Sequence, residues 1–547
     1  MHRPSVELPC TCYTLRIASW LEAEESSTSE LPLADGYNCP KDAEPVMVTG
    51  GRWASGFLLA FYRVPLYHPI ETVQQILNFR RASLGQAHRS NFPAMVSQKS
   101  WMQSKQSHES AQTRGSPAGG PDMDKRRRVL LFALAFGLLC CSRGAGPAAP
   151  LSTRGAYYSG VYQNLFVDIL GIEESVVNSR VSEAFQQLFY GHDQSERVYY
   201  PVGADMAYIK DVLHGDVRTE GMSYGMMIAV QLDKREEFDK LWKWAKTHMQ
   251  HQDGARRHYF AWHCDTNATV LDSTAAPDGE EWIVTALFFA SARWGNGEGI
   301  YDYGSEAQAI LEAMLHQEES VDNDGTITNM FHRQEQQVVF VPEIQGAGFT
   351  DPSYHLPHFY ELWARWSRRD NDFWCDAAAI SRQFLRKTAH PTTGLAPDYA
   401  HFDGTPYEAW PGGHENFQFD AWRVAMNIAI DHVWFAKDEW QVEQSNRLLR
   451  FFSQQGIGHY GNQYTLEGRK LGEDHSEGLV AMNAVACLAA SDERKREFLQ
   501  EFWDLPVPRG TYRYYDGLLY MLAMTQVSGN FRVYDPTGTP TDACTED

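Results

Sequence analysis

Positive charge is in short supply: 48 Lys and Arg stand against 70 Asp and Glu in 547 residues, a formal net charge of −22. A polyanion is held by clustered basic side chains, so nucleic acid is excluded as a partner bound by bulk charge. Cysteine is sparse as well. Cys10, Cys12, Cys39, Cys140 and Cys141 fall in the first 150 residues, and Cys264, Cys375, Cys487 and Cys544 show no C-x-x-C spacing. Neither a zinc site nor a redox pair is indicated, and Cys375 and Cys487, on apolar helical faces, read as small core residues. No apolar run approaches the roughly 20 residues of a bilayer-spanning helix, so no stable membrane span is expected. Alternating apolar and polar stretches are scarce too, with 337–344 the clearest, which disfavours a parallel α/β sheet.

What is there splits into three parts. Residues 1–122 carry no long apolar periodicity and are rich in Ser, Gln, Arg and turn formers, so no fold is assigned to them and they read as an over-extended start. Met123 is followed by Lys125, Arg126, Arg127 and Arg128, an apolar run from Val129 to Cys141, and the small-residue stretch SRGAGPAAP. Basic head, short apolar middle and small-residue exit are the parts of a secretory signal peptide, so 123–150 is expected to be a leader with translation starting at Met123. That places the chain outside the cell or in the periplasm, with a lipid anchor at Cys140 or Cys141 as a variant and a cytoplasmic location the alternative if the segment is no leader. The rest, 151–540, is globular: 43% of the whole sequence is hydrophobic and 13% aromatic, and flat rings with polar tips suit a cleft as well as a core.

From about residue 160 apolar residues recur at helical spacing. Val177, Val181, Ala184, Phe185, Leu188 and Phe189 make one helix face. Read on in this way, the chain gives helices near 177–190, 222–232, 235–250, 280–293, 304–317, 355–368, 372–388, 420–435, 440–454, 476–490, 493–504 and 516–527. Six helical hairpins in one domain predict an all-α closed double ring, an (α/α)6 barrel. Glu220, Asp278, Asp351, Asp420, His475 and Asp516 stand at the starts of alternate helices, which run the same way in such a ring and open onto one mouth. Asp before a helix also caps free backbone N–H groups, and for Asp351 and Asp516 capping and function weigh equally. Glu220 is a poor capping residue and sits among Gly, Met and Tyr, where its ionised form is disfavoured; Asp420 sits at a helix start, where the dipole keeps a carboxylate charged. One acid kept protonated and one kept charged is the pairing used in glycoside hydrolysis.

Two competing motifs fall away. Gly221-Met222-Ser223-Tyr224-Gly225 fits the G-x-S-x-G elbow of serine esterases, but the polar stretch before it is no buried strand. Asp322-Asn323-Asp324-Gly325 resembles part of a calcium loop, yet its Gly is misplaced and the closing Glu absent, so it reads as a turn.

The segments DVRTEGMSYGMM (216–227), YFAW (259–262), PDGEEW (277–282), DPSYHLPHFYELW (351–363), TGLAPDYA (393–400), FDAWRVAMN (419–427), GLVAMNA (478–484) and RYYDGLLYMLAM (513–524) resemble glycoside hydrolase family 8. Within it they look most like the reducing-end xylose-releasing exo-oligoxylanases. The resemblance runs from about Gly155 to Tyr534. It implies the (α/α)6 barrel and an inverting hydrolase that releases xylose from the reducing end of short β-1,4-xylo-oligosaccharides, with an endo-β-1,4-xylanase or other β-1,4-glycanase of the family as the alternative. It implies that Glu220 is the general acid, Asp420 the general base, and Asp278 the residue that holds the sugar at the cleavage point. Tyr354 would position the attacking water, and the loop at His475 would contact the reducing-end hydroxyl and wall off the cleft beyond one xylose. Trp262, Tyr259 and Trp282 are candidates for sugar stacking. Ser476-Glu477 depart from the family's pattern, which bears on the exo mode. No metal or organic cofactor is implied, since two carboxylates and water suffice. A non-catalytic sugar-binding protein on the same ring is the reading from a different class, and retention of both Glu220 and Asp420 speaks against it.

Overall fold

The apolar spacing that begins at Val177 resolves into twelve helices. The computed structural model describes residues 155–538 and 541–544. The expected extension (1–122) and leader (123–150) lie outside the described residues. After two one-turn helices come α1 (Glu174–Tyr190), α2 (Thr219–Gln231), α3 (Arg235–Trp244), α4 (Pro277–Trp294), α5 (Tyr303–His316) and α6 (Pro357–Trp366). They are followed by α7 (Asn371–Thr388), α8 (Arg423–Phe435), α9 (Trp440–Gln455), α10 (Glu477–Ala486), α11 (Lys495–Asp504) and α12 (Tyr515–Val527).

Sequence sorts these helices into two rings. The odd-numbered ones are amphipathic: α3 buries Phe238, Leu241, Trp242 and Trp244 and leaves its charged residues outside. The even-numbered ones are buried nearly all round, with the charges of α6 paired internally as Arg365–Glu361, and in α2 every residue except Glu220 is buried. A helix without a polar face must be surrounded, so the even helices form the inner ring and the odd ones sheath it. Around the inner ring α2 packs on α4, α6 on α8, α8 on α10, α10 on α12 and α12 on α2. Between α4 and α6 the join is made by side chains: Tyr360 donates to Glu281 at 2.6 Å and Trp363 to the Thr285 hydroxyl at 3.1 Å. This is the (α/α)6 barrel.

The strands are short and belong to loops. β1 (Tyr199–Val202) pairs antiparallel with β2 (Met206–Ile209). β3 (Asp216–Arg218), β4 (His263–Asp265) and β5 (Val270–Asp272) form a small sheet, with Val217 opposite Cys264. β3 runs straight into α2 and so delivers Glu220 to the mouth. The strand expected over 337–344 shrinks to β7 (Gln337–Val338), paired with β6 (Phe331–His332). Beyond it Phe340 donates instead to the Phe349 carbonyl, and Pro342 has no N–H to continue a ladder. β8 (Gln463–Tyr464) and β9 (Lys470–Gly472) make the last hairpin.

One cysteine expectation is corrected. Cys375, at the start of α7, is disulfide-bonded to Cys544, with 5.3 Å between their Cα atoms. The separation of 169 positions hid the pair, because a disulfide across a ring has no sequence spacing to betray it. Cys264 and Cys487 are free and buried, Cys487 as expected.

Candidate active site

The N-termini of the inner helices meet at one mouth, and a single cation organises it. Arg423, the first residue of α8, is buried among acids. Its Nη1 donates to Glu220 at 3.1 Å, to Asp278 at 2.9 Å and to the Tyr224 hydroxyl at 2.8 Å. Its Nη2 donates to Asp420 at 2.7 Å and to the Ser353 hydroxyl at 2.9 Å. Residues from α2, α4, α8 and the turn before α6 are thus joined through one planar fork, which can serve several acceptors at fixed angles as a lysine cannot. Glu220 and Asp420 sit on different nitrogens, so the guanidinium stands between them.

The three acids differ in surroundings. Glu220, in the first turn of α2, accepts the Tyr514 hydroxyl at 3.0 Å on its other oxygen. Burial pushes its carboxyl up to about 7 against the pull of Arg423, with the charges of Asp278 and Asp420 adding to the rise. Asp278, in the first turn of α4, is raised by burial in spite of Arg423, and its second oxygen accepts the Gly279 N–H at 2.9 Å. Asp420 lies in a one-turn helix, Phe419–Trp422, that leads into α8, and it is the most open of the three with 29% of its side chain exposed. The arrangement therefore offers a carboxylic acid that can hold its proton near neutrality, a carboxyl group within reach of solvent, and a third acid that shares a guanidinium nitrogen with the first. It can donate a proton on one side of a bond and accept one from water on the other.

The remaining candidates divide. Tyr354 joins the site: its ring lies under the Arg423 guanidinium at 5.9 Å and stacks parallel to Phe340 at 6.0 Å. Trp262 is half-buried beside the start of α2, with the Arg218 guanidinium 5.7 Å from its ring. His475 sits at the mouth just before α10, half-buried, with both ring nitrogens bonded to protein. Tyr259 and Trp282 are corrections, being 0% and 2% exposed. Tyr259 reaches carbonyls of Ala313 and Thr328, and the Trp282 ring is wedged against Tyr224 and Phe359, so both are core and no sugar can reach them. Ser223 lies inside α2, fully buried, with its hydroxyl donating to the Glu220 carbonyl at 2.8 Å, which is no nucleophile elbow. Residues 322–325 form a turn in which Asn323 accepts the Gly325 N–H. Asp351 caps the turn before α6 by accepting the Ser353 N–H at 2.7 Å, and Asp516 accepts the Gly478 N–H at 3.0 Å across to α10.

Arg423, Tyr224, Ser353 and Tyr514 are site residues that reading the sequence for acids passed over. The one available signal was the arginine three residues after Asp420, one helical turn on and on the same face. Among the described residues no group of three or more His, Cys, Asp or Glu is placed to hold a metal ion, and no helix is long and apolar enough to cross a membrane.

Comparison with known proteins adds to this geometry. Residues 157–529 match the glycosyl hydrolases family 8. The chain is 48% identical over 388 residues to the reducing-end xylose-releasing exo-oligoxylanase Rex8A of Paenibacillus barcinonensis, a match covering 70% of this chain and 100% of that one. It is 42% identical over 392 residues to the reducing end xylose-releasing exo-oligoxylanase of Halalkalibacterium halodurans, covering 71% and 98%. The solved structure of Rex8A complexed with xylose aligns with a TM-score of 0.67 at 47% identity, over 70% of this chain and 100% of that one. A family 8 catalytic mutant of a Teredinibacter turnerae xylanase in complex with xylohexaose aligns with the same score at 45% identity and the same coverage.

Proposed function

The chain belongs to the glycosyl hydrolases family 8, and from that premise we propose that it hydrolyses short β-1,4-xylo-oligosaccharides with inversion, releasing xylose from the reducing end. The observation that carries the reading is the Glu220–Arg423–Asp420 bridge at the mouth of the barrel. Glu220, held protonated by its burial, donates to the glycosidic oxygen as the bond to the anomeric carbon breaks. Asp420, on the other side of the guanidinium, takes a proton from the water that attacks that carbon. An inverting pair of this kind leaves room for water, with carboxyls about 6.5–9.5 Å apart. Asp278 holds the distorted sugar between them and faces the positive charge that develops on it. Tyr354 and Ser353 line the water's side, Trp262 offers a ring to a bound sugar, and His475 bounds the cleft one xylose beyond the cut. The reaction leaves Asp420 protonated and Glu220 charged, and exchange with solvent restores both.

The 45% identity to a xylanase that has been solved with xylohexaose favours an endo-acting second reading. Xylotriose labelled at its reducing end separates the two, with the configuration of the new end followed by proton NMR. Labelled xylose appearing first, with the new end in the α form, is expected. Equal labelled mono- and disaccharide selects the endo reading, and a β product would sink the Glu220/Asp420 assignment.

We also propose that the segment from Met123 exports the chain, to the periplasm or beyond. The Cys375–Cys544 disulfide supports this, because such bonds persist in oxidising compartments. Cell fractionation of the native host tests it, and recovery of the protein in the cytoplasm alone would discard it.

A further inference from the structure

His475 ends the loop that runs from β8 into α10, one inner helix beyond the one that Asp420 opens. Its Nδ1 lies 2.8 Å from the Tyr460 carbonyl oxygen and its Nε2 lies 3.1 Å from Oε1 of Glu501. A carbonyl and a carboxylate only accept, so both ring nitrogens must donate, and an imidazole with two N–H groups is an imidazolium. Glu501 stands on α11, in the outer ring. The same Oε1 also accepts the Gly458 N–H at 2.6 Å, and Oε2 accepts the Tyr460 hydroxyl at 2.8 Å. The Tyr460 ring meets the His475 ring edge-on, 4.4 Å between centroids. On the loop's other side Asn462 donates to the Ser476 hydroxyl at 2.8 Å, and its carbonyl accepts the indole N–H of Trp422, two residues after Asp420, at 3.0 Å. The loop is thus tied to the turn that carries Asp420 at one edge and to Glu501 at the other.

Neither nitrogen of His475 is left to bond a sugar hydroxyl, which departs from the contact that the family resemblance implies. Burial alone would lower the ring's proton affinity, but the bonds from Glu501 and Tyr460 carry it above the ordinary histidine value. Glu501 itself is 9% exposed at the side chain, so its charge acts on the ring with little screening by water.

We propose that Glu501 is a positioning residue for the product pattern: from the outer ring it clamps His475 as a doubly bonded imidazolium, and so fixes where the cleft ends. The inference rests on the exo reading above. Without the clamp the loop has one anchor instead of two, and a longer stretch of the chain can pass beyond the cleavage point.

The test uses xylohexaose labelled at its reducing end, with wild type and Glu501→Gln compared. Glutamine removes the charge and keeps one acceptor oxygen, which can hold the Gly458 N–H while its amide N–H donates to the Tyr460 hydroxyl, a group that also accepts. The ratio of longer labelled fragments to labelled xylose is expected to rise about tenfold, the size of effect that loss of one charge-assisted hydrogen bond brings. A folded Glu501→Gln protein with an unchanged ratio overturns the proposal. Nitrogen-15 NMR of histidine-labelled wild type gives an answer that needs no variant: two protonated ring nitrogens for His475 at neutral pH are expected, and a neutral ring overturns the clamp. If wild type releases labelled fragments of every length, the exo reading fails first, and that failure is visible before any substitution is made.

Discussion

A single guanidinium held by three acids sets the chemistry at the scale of residues. Because Glu220 is raised to about 7, the protonated form needed for donation is present below that pH and lost above it. The alkaline limb of kcat/KM is therefore expected near pH 7, and a limb above pH 9 would remove Glu220 from the acid's role. Glu220→Gln should lower kcat by about 10²–10⁴ in steady-state assays, the usual worth of a positioned proton donor. Asp278 is followed by two more buried acids that do other work. Glu280 accepts the Phe260 N–H at 2.8 Å and is pushed up to about 8 by burial, and Glu281 accepts the Tyr360 hydroxyl and is likewise raised by burial, well above the ordinary carboxylate range. A folded-state value above the unfolded one of about 4.3 means that the stabilisation is full at acid pH and is lost as pH climbs through about 8. Glu280→Gln, which keeps an acceptor and cannot ionise, should flatten the fall of Tm over that window when followed by calorimetry. The sequence singles out Asp278 and assigns nothing to Glu280 and Glu281; the packing of α4 turns Asp278 to the mouth and the other two into the core.

At the scale of helices, closeness at the mouth depends on small residues beside the acids. A Cβ at Gly221 would stand 2.5 Å from the Tyr514 ring, and one at Gly279 would stand 2.5 Å from Thr219 Cβ. Those glycines let α2 approach α12 and α4 closely enough for Tyr514 to reach Glu220. Gly221→Ala should displace Tyr514, destabilise the protein by about 1–3 kcal/mol in denaturant unfolding, and lower kcat more than it raises KM. An unfolding midpoint and kcat both equal to wild type would show that the ring tolerates the methyl. All twelve helices were legible from apolar spacing, because a double ring imposes a different burial pattern on its inner and outer members and a long helix records it. The alignment of Glu220, Asp278 and Asp420 at alternate helix starts was legible for the same reason. The stacking role for Tyr259 and Trp282 was not, since an aromatic side chain reads the same in a core as in a cleft until its neighbours are known. The disulfide was hidden because it joins α7 to a tail far along the chain.

At the scale of the whole molecule, the ring has a closed face opposite its mouth. There the Tyr157 hydroxyl donates to Asp535 at 3.0 Å, Arg365 at the end of α6 donates to the Thr541 carbonyl at 2.7 Å, and Lys437, after α8, donates to the Cys544 carbonyl at 3.1 Å. The disulfide locks this strap to α7. Replacing Cys544 by Ser should cost about 2–5 kcal/mol and lower Tm by several degrees while leaving the rate of xylo-oligosaccharide cleavage unchanged, since no residue of the strap touches the mouth. A loss of activity without a loss of stability would mean that the two faces are coupled.

Both described ends of the barrel, at Tyr157 and at Asp535, sit on that face. A cargo, a resin or a cell envelope attached at either end would therefore hold the enzyme from behind, with the cleft pointing away into the medium. Such geometry favours display and immobilisation: turnover on a bead should match turnover in free solution, because the anchor and the substrate approach from opposite sides.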